Sequence, residues 1–135
     1  MNGTMKSRIT IAAALLLSLA LAACGPKKAS ISATMTDFKY DPPSWTVPAG
    51  AEVTLTVTNN GSIMHSWLLL DSGITIAPPF DKEAVKYSIL VDQDVDAGAT
   101  ATVVFTAPTT RGEYEVVCGV PGHIEAGMVG KLIVQ

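Results

Sequence analysis

Three residues near the C-terminal end of this 135-residue sequence could together bind a transition metal: Cys118, His123 and Met128, spaced C-x4-H-x4-M. They offer a thiolate, an imidazole and a thioether on one stretch rich in Gly and Pro, Gly119-Val120-Pro121-Gly122 and Ala126-Gly127. A loop can converge three donors on one point, whereas a straight strand sends alternate side chains to opposite faces. A fourth donor, His65, stands far upstream after the turn residues Asn59 to Ser62. One thiolate, two imidazoles and a weak thioether form the His2Cys trigonal set with axial Met of a mononuclear copper site. Zinc also takes Cys and His, but thioethers favour copper and the set holds only three good zinc ligands. Singly, each residue reads as packing or surface; together they use both histidines of the chain and its C-terminal cysteine.

The other cysteine has a different setting. Lys6 and Arg8 precede an apolar run, Ile9 to Ala23, broken only by Thr10 and Ser18. The run is shorter than the roughly 20 apolar residues of a stable membrane-spanning helix and reads as an export signal. Leu21-Ala22-Ala23-Cys24-Gly25 resembles a bacterial lipobox, in which the cysteine is lipidated and becomes the new amino terminus. The expected organisation is therefore a lipoprotein signal peptide at 1–23, a lipidated tether at 24–30 and one domain at 31–135. The tether would keep the domain within about 20 Å of the bilayer, on the periplasmic or other extracytoplasmic face. With Cys24 carrying lipid, Cys118 has no disulfide partner within the chain, which leaves a thiol that is buried and inert, reactive, or bound to a metal. Formal net charge is −3, the longest basic run is Lys27-Lys28, and nucleic acid is excluded as a partner on that balance.

The elements that must position these donors read as short strands. In the stretch Glu52–Asn59, Val53-Thr54-Leu55-Thr56-Val57-Thr58 alternates apolar and hydroxyl residues with the period of a half-buried strand. Similar stretches occur at Ile31–Thr36, Ser44–Val47, His65–Leu70, Val85–Val91, Ala99–Ala107, Glu113–Cys118 and Val129–Val134, with turn residues between them. Eight strands without a sustained helical period predict an all-β antiparallel sandwich or barrel of Greek-key type. A short helical insertion is expected around 79–88, where Asp81 to Lys86 could make a turn or two. Trp67 and Leu69 share the parity of His65 and are expected to pack inward.

The sequence resembles the cupredoxins, the type 1 blue copper proteins, in the manner of auracyanin, azurin, plastocyanin and rusticyanin. The likeness is carried by Phe38-Lys39-Tyr40-Asp41-Pro42 leading to Val47-Pro48-Ala49-Gly50, by Val53 to Asn59, by His65-Ser66-Trp67 and by the Cys118 to Met128 loop. It implies an eight-stranded Greek-key sandwich holding one copper at one end, with His65, Cys118 and His123 as strong ligands and Met128 as the long axial one. It also implies that the Cys118 sulfur accepts backbone N–H bonds from Ser66 and Val120. Ser66 stands where azurin-like proteins commonly carry Asn, and Met64 where azurin has a glycine whose carbonyl approaches the metal.

Around His123, the small or apolar Val120, Pro121, Gly122, Ile124 and Ala126 are expected to form a docking patch for redox partners, such as cytochromes or membrane complexes. The function expected is one-electron transfer by a monomer. Copper delivery or assembly of a copper oxidase is the alternative, disfavoured by the lack of Met- or His-rich runs. An enzyme is not expected, because no histidine remains for a second copper centre.

Overall fold

In the computed structural model, residues 25–74 and 76–135 are described; the leader at 1–23 and the lipidation candidate Cys24 lie outside them. Among the described residues nine strands form two packed sheets: β1 Lys28–Thr36, β2 Lys39–Asp41, β3 Ser44–Val47, β4 Glu52–Asn59, β5 His65–Leu70, β6 Ile89–Val95, β7 Thr100–Thr106, β8 Gly112–Val117 and β9 Val129–Val134. The first sheet runs β2-β1-β4-β7 and the second β3-β9-β8-β5-β6.

β4 shows why these residues form strands. Val53, Leu55 and Val57 are fully buried while Thr54, Thr56 and Thr58 lie on the outer face. β-branched residues fit a pleated surface that is wet on one side only. The core between the sheets is closed by Trp45, Trp67, Tyr40, Met35 and Leu132. Hydrogen bonds also cross from sheet to sheet. The Trp45 indole donates to Ser32 O at 2.8 Å, and the Tyr40 hydroxyl to Ser66 O at 2.7 Å.

The sheets are mixed, correcting the antiparallel expectation: β1 pairs parallel to β4, and β3 parallel to β9. The chain leaves the first sheet after β2 and returns to it after β3, so β4 comes back beside β1 by way of the second sheet and runs in the same direction. The additional strand, β2, is a three-residue edge. The strand expected at Val85–Val91 runs instead from Ile89 to Val95, because Lys86–Ser88 closes a 3-10 turn. That turn is the only helical piece of the insertion expected at 79–88 among the described residues. On β6, Val91 and Val95 point inward while Asp92 and Asp94 face water, as suits the edge of a sheet.

Every residue of β5 is buried. Trp67 and Leu69 join the main core as expected, and Leu68 and Leu70 face the opposite way. The insertion covers that outer face: Ile74, Ile76, Phe80, Val85 and Ile89 pack on Leu68, Leu70, Val117 and Ile124. A strand buried on both faces reads as a continuous apolar run, as Trp67-Leu68-Leu69-Leu70 does.

Candidate metal centre

The strand register brings distant donors together. β8 and β9 are adjacent and antiparallel, with Val117 paired to Val129, so residues 118–128 form the loop at one end of the sandwich. β5 lies on the other side of β8, with Leu68 opposite Val117. Running back along β5 from Leu68 to His65 therefore leads past the end of β8 toward that loop. The β1–β2 turn reaches the same end, since Met35 is paired with Asn59 just before the loop into β5.

Side chains from these segments meet. His123 Nδ1 lies 3.1 Å from His65 Nδ1 and 3.3 Å from Cys118 Sγ, and His65 Nδ1 is 4.0 Å from the sulfur. All three donor atoms fall within 4.8 Å of one another. His65 and Cys118 are fully buried, and His123 keeps only 6% of its surface. Burial and the neighbouring His65 hold the His123 imidazole below its usual pKa, leaving it neutral with a lone pair to donate. Among the described residues Cys118 has no disulfide partner.

Met128 is the fourth donor expected from sequence. It is fully buried, its N–H donates to His123 O at 2.9 Å, and its carbonyl accepts from Cys118 N–H at 3.4 Å. Its backbone is thus tied to both loop donors. The loop bends at Gly122 and Gly127, with φ of 86° and 99°, values that L residues with side chains rarely adopt.

Ser66 surrounds the sulfur more completely than expected. Its N–H donates to Cys118 Sγ at 3.3 Å and its hydroxyl contacts the same sulfur at 3.7 Å. The hydroxyl oxygen also accepts the Gly119 N–H at 2.7 Å. The donor expected from Val120 is not found: the sulfur accepts the Ser66 N–H, and its other polar contacts are the Ser66 hydroxyl and the Nδ1 atoms of His65 and His123. Val120 instead offers its carbonyl to His123 N–H at 3.1 Å, closing the turn that carries the imidazole.

The docking patch also needs correction. Pro121, Gly122 and Ala126 are exposed and Val120 is half-buried. Ile124, however, is only 8% exposed and packs in the cluster with Leu68, Leu70 and Val117. Adjacent loop residues point to opposite sides, so Ile124 anchors the loop while His123 faces the donors. The insertion grips the same loop from outside, where Glu125 Oε1 accepts the Phe80 N–H at 3.1 Å.

Sequence reasoning missed three residues. Buried Asn59 clamps the approach to His65: its side-chain amide donates to Ile63 O at 2.8 Å and Val95 O at 2.9 Å, and its Oδ1 accepts from Gly61 N–H at 2.8 Å. Asp37 accepts from His65 Nε2 at 2.9 Å. Phe38 adopts a φ of 136°, rare outside glycine, and turns its ring edge-on to His123 with centroids 5.0 Å apart. An Asn at a strand end and an Asp at a turn are too common to signal such roles from sequence.

A tightly buried cysteine sulfur and two imidazoles on a β scaffold, with a buried methionine tied to the same loop, fit a soft, borderline metal such as copper. The chain belongs to the cupredoxin-like domain family, whose pattern matches residues 8–134. It is 33% identical over 110 residues to the copper-resistant cuproprotein CopI of Rubrivivax gelatinosus, covering 78% of this chain and 66% of that protein. It is 36% identical over 101 residues to rusticyanin of Acidithiobacillus ferridurans, covering 69% of this chain and 50% of the relative. The chain thus spans about half to two thirds of the length of these relatives. Among solved structures, auracyanin of Roseiflexus castenholzii superposes with a TM-score of 0.68 at 25% identity, covering 82% of this chain and 99% of that one.

Proposed function

We propose that this protein is a type 1 copper electron carrier, with His65, Cys118 and His123 as strong ligands, Met128 as the weak axial ligand and one copper per chain. The observation that carries this reading is the buried convergence of the two histidine Nδ1 atoms and Cys118 Sγ from separate segments of a rigid sandwich. Copper in such a set supplies a one-electron couple. The chain's part is to hold the donors in one arrangement for both oxidation states. Ser66 fixes the sulfur, the Val120 turn fixes His123, and Ile124 and Met128 pin the loop from two sides.

Electrons would enter and leave at the His123 end, where Pro121, Gly122 and Ala126 are exposed and Phe38, 38% exposed, packs against the ring. A small apolar surface suits redox partners that must dock briefly and separate. The partners proposed are redox proteins meeting a monomer at the extracytoplasmic face, with Cys24 as its lipid anchor; nucleic acid is not among them. No enzymatic turnover is assigned, since both histidines of the chain lie in this one cluster.

The likeness to a copper-resistance cuproprotein supports a second reading, in which the site sequesters or delivers copper. Adding Cu(II) to the purified protein separates the two. An electron carrier gives intense absorption near ~600 nm from the Cys–copper bond and cycles reversibly between oxidation states. Cys118→Ser should abolish the colour. A colourless protein that binds only Cu(I) would refute electron transfer and favour delivery.

A further inference from the structure

Asp37 occupies the turn between β1 and β2, at the metal end of the sandwich. Its Oδ1 lies 2.9 Å from Nε2 of fully buried His65. The carboxylate is itself held: Ser62 N–H approaches its two oxygens at 3.1 and 3.2 Å, and the Ser62 hydroxyl donates to Oδ2 at 2.6 Å. The Ser62 N–H, the Ser62 hydroxyl and His65 Nε2 thus converge on the two oxygens of a carboxylate that is ionised at neutral pH. Some 34% of the side chain is exposed, yet the face toward His65 is closed.

The closure depends on Gly61. A Cβ at that position would lie 2.8 Å from His65 Nε2, 3.1 Å from Asn59 Oδ1 and closer still to Asp37 Oδ1. Any side chain there would displace the carboxylate or the ring. The glycine therefore leaves the space that this one hydrogen bond fills.

The chemistry of the contact is directional. An ionised carboxylate can only accept, so the ring proton must sit on Nε2. A neutral imidazole protonated there has its lone pair on Nδ1, the atom that lies 3.1 Å from His123 Nδ1 and 4.0 Å from Cys118 Sγ. His65 is the donor that stands outside the ligand loop: its Nδ1 meets the loop at His123 and Cys118, while Asp37 holds the other ring nitrogen, Nε2.

We propose that Asp37 is a positioning residue for the metal centre: it fixes His65 as the Nε2–H tautomer, sets the plane of its ring, and by its charge strengthens Nδ1 as a donor to an oxidised metal. The last clause rests on the copper reading, whereas the tautomer is a property of the metal-free chain.

The test uses the full chain with Asp37→Asn, Asp37→Ala and Ser62→Ala. In the metal-free, 15N-labelled protein, two-bond 1H–15N correlations report which ring nitrogen of His65 carries the proton. The wild type is expected to show Nε2–H alone, and Asp37→Ala a mixture of both tautomers. Cu(II) affinity, measured by competition with a chelator, should fall about 10- to 100-fold in Asp37→Ala. Asp37→Asn keeps an acceptor oxygen but loses the charge. It should retain the tautomer and raise the reduction potential, by about 59 mV for each tenfold loss of Cu(II) affinity relative to Cu(I). Ser62→Ala, which removes one bond to Asp37 and none to His65, should have the smallest effect throughout.

Retention of pure Nε2–H in Asp37→Ala would overturn the proposal, as would Cu(II) affinity within about threefold of wild type. A Ser62→Ala variant as impaired as Asp37→Ala would also overturn it, by assigning the effect to the turn and not to the carboxylate. If wild type binds no Cu(II), the copper reading fails and the tautomer measurement alone decides the role of Asp37.

Discussion

Ser66→Ala removes one oxygen atom that does two things. The hydroxyl accepts the Gly119 N–H at 2.7 Å and reaches the Cys118 sulfur at 3.7 Å, while the Ser66 N–H that donates to the same sulfur at 3.3 Å is untouched. Loss of the acceptor leaves a partly buried N–H without its partner, expected to cost about 1–2 kcal/mol of stability in the metal-free protein. Urea unfolding followed by circular dichroism measures that directly. The second effect concerns the copper-loaded protein. A donor to the sulfur withdraws electron density from the thiolate, which disfavours the oxidised metal more than the reduced one. Its removal should therefore lower the reduction potential. The contact is long and one of several, so a differential of about 0.5–1 kcal/mol is reasonable, or ~20–40 mV for one electron. A spectroelectrochemical titration of wild type and variant reads the shift. An unchanged or raised potential, with the blue site intact, would refute the assignment of the hydroxyl as a sulfur donor. Unchanged unfolding would refute its role toward Gly119.

Other substitutions test the scaffold around the donors. Asn59→Ala removes three hydrogen bonds that hold residues 61–63 and β6, and should cost about 2–4 kcal/mol in chemical denaturation, with weaker copper binding through His65. Ile124→Ala opens a cavity beneath the ligand loop; about 2–4 kcal/mol of stability should be lost, and the visible band of the copper protein should broaden as the loop loosens. Copper should raise the melting temperature by mass action, with about 4 kcal/mol of added stability when free metal exceeds the dissociation constant a thousandfold. Thermal scans with and without the metal, in wild type and Cys118→Ser, check this, and the gain should be largely lost in the variant.

Much of the site is written locally in the chain. Cys118, His123 and Met128 lie on one loop, and donor type with loop spacing is enough to predict metal chemistry. The strands were legible wherever a period-two pattern met a half-wet sheet, as in β3, β4 and β9, and β5 was legible as an apolar run; their bounds fall where the sequence places them. Legibility failed at edges and at insertions. β2 is too short to carry a period, and the Asp92-Gln93-Asp94 stretch of β6 looks like a turn because an edge strand tolerates charge.

What the sequence alone determined is the donor inventory: how many imidazoles and thiolates exist and which of them share a loop. The tertiary structure decided how those donors are held. His65 reaches the loop only because β5 lies antiparallel to β8 in one register, and a shift by a single residue would turn it to the other face. Asp37, Asn59 and Ser66 acquire their roles from the same long-range packing. Ile124 became an anchor, not a docking residue, because an insertion far from it in sequence covers the outer face of β5. Donor chemistry belongs to single side chains and is visible in their identities. Orientation, tautomer and burial belong to pairs of atoms far apart in sequence, and they exist only once the two sheets have closed on one another.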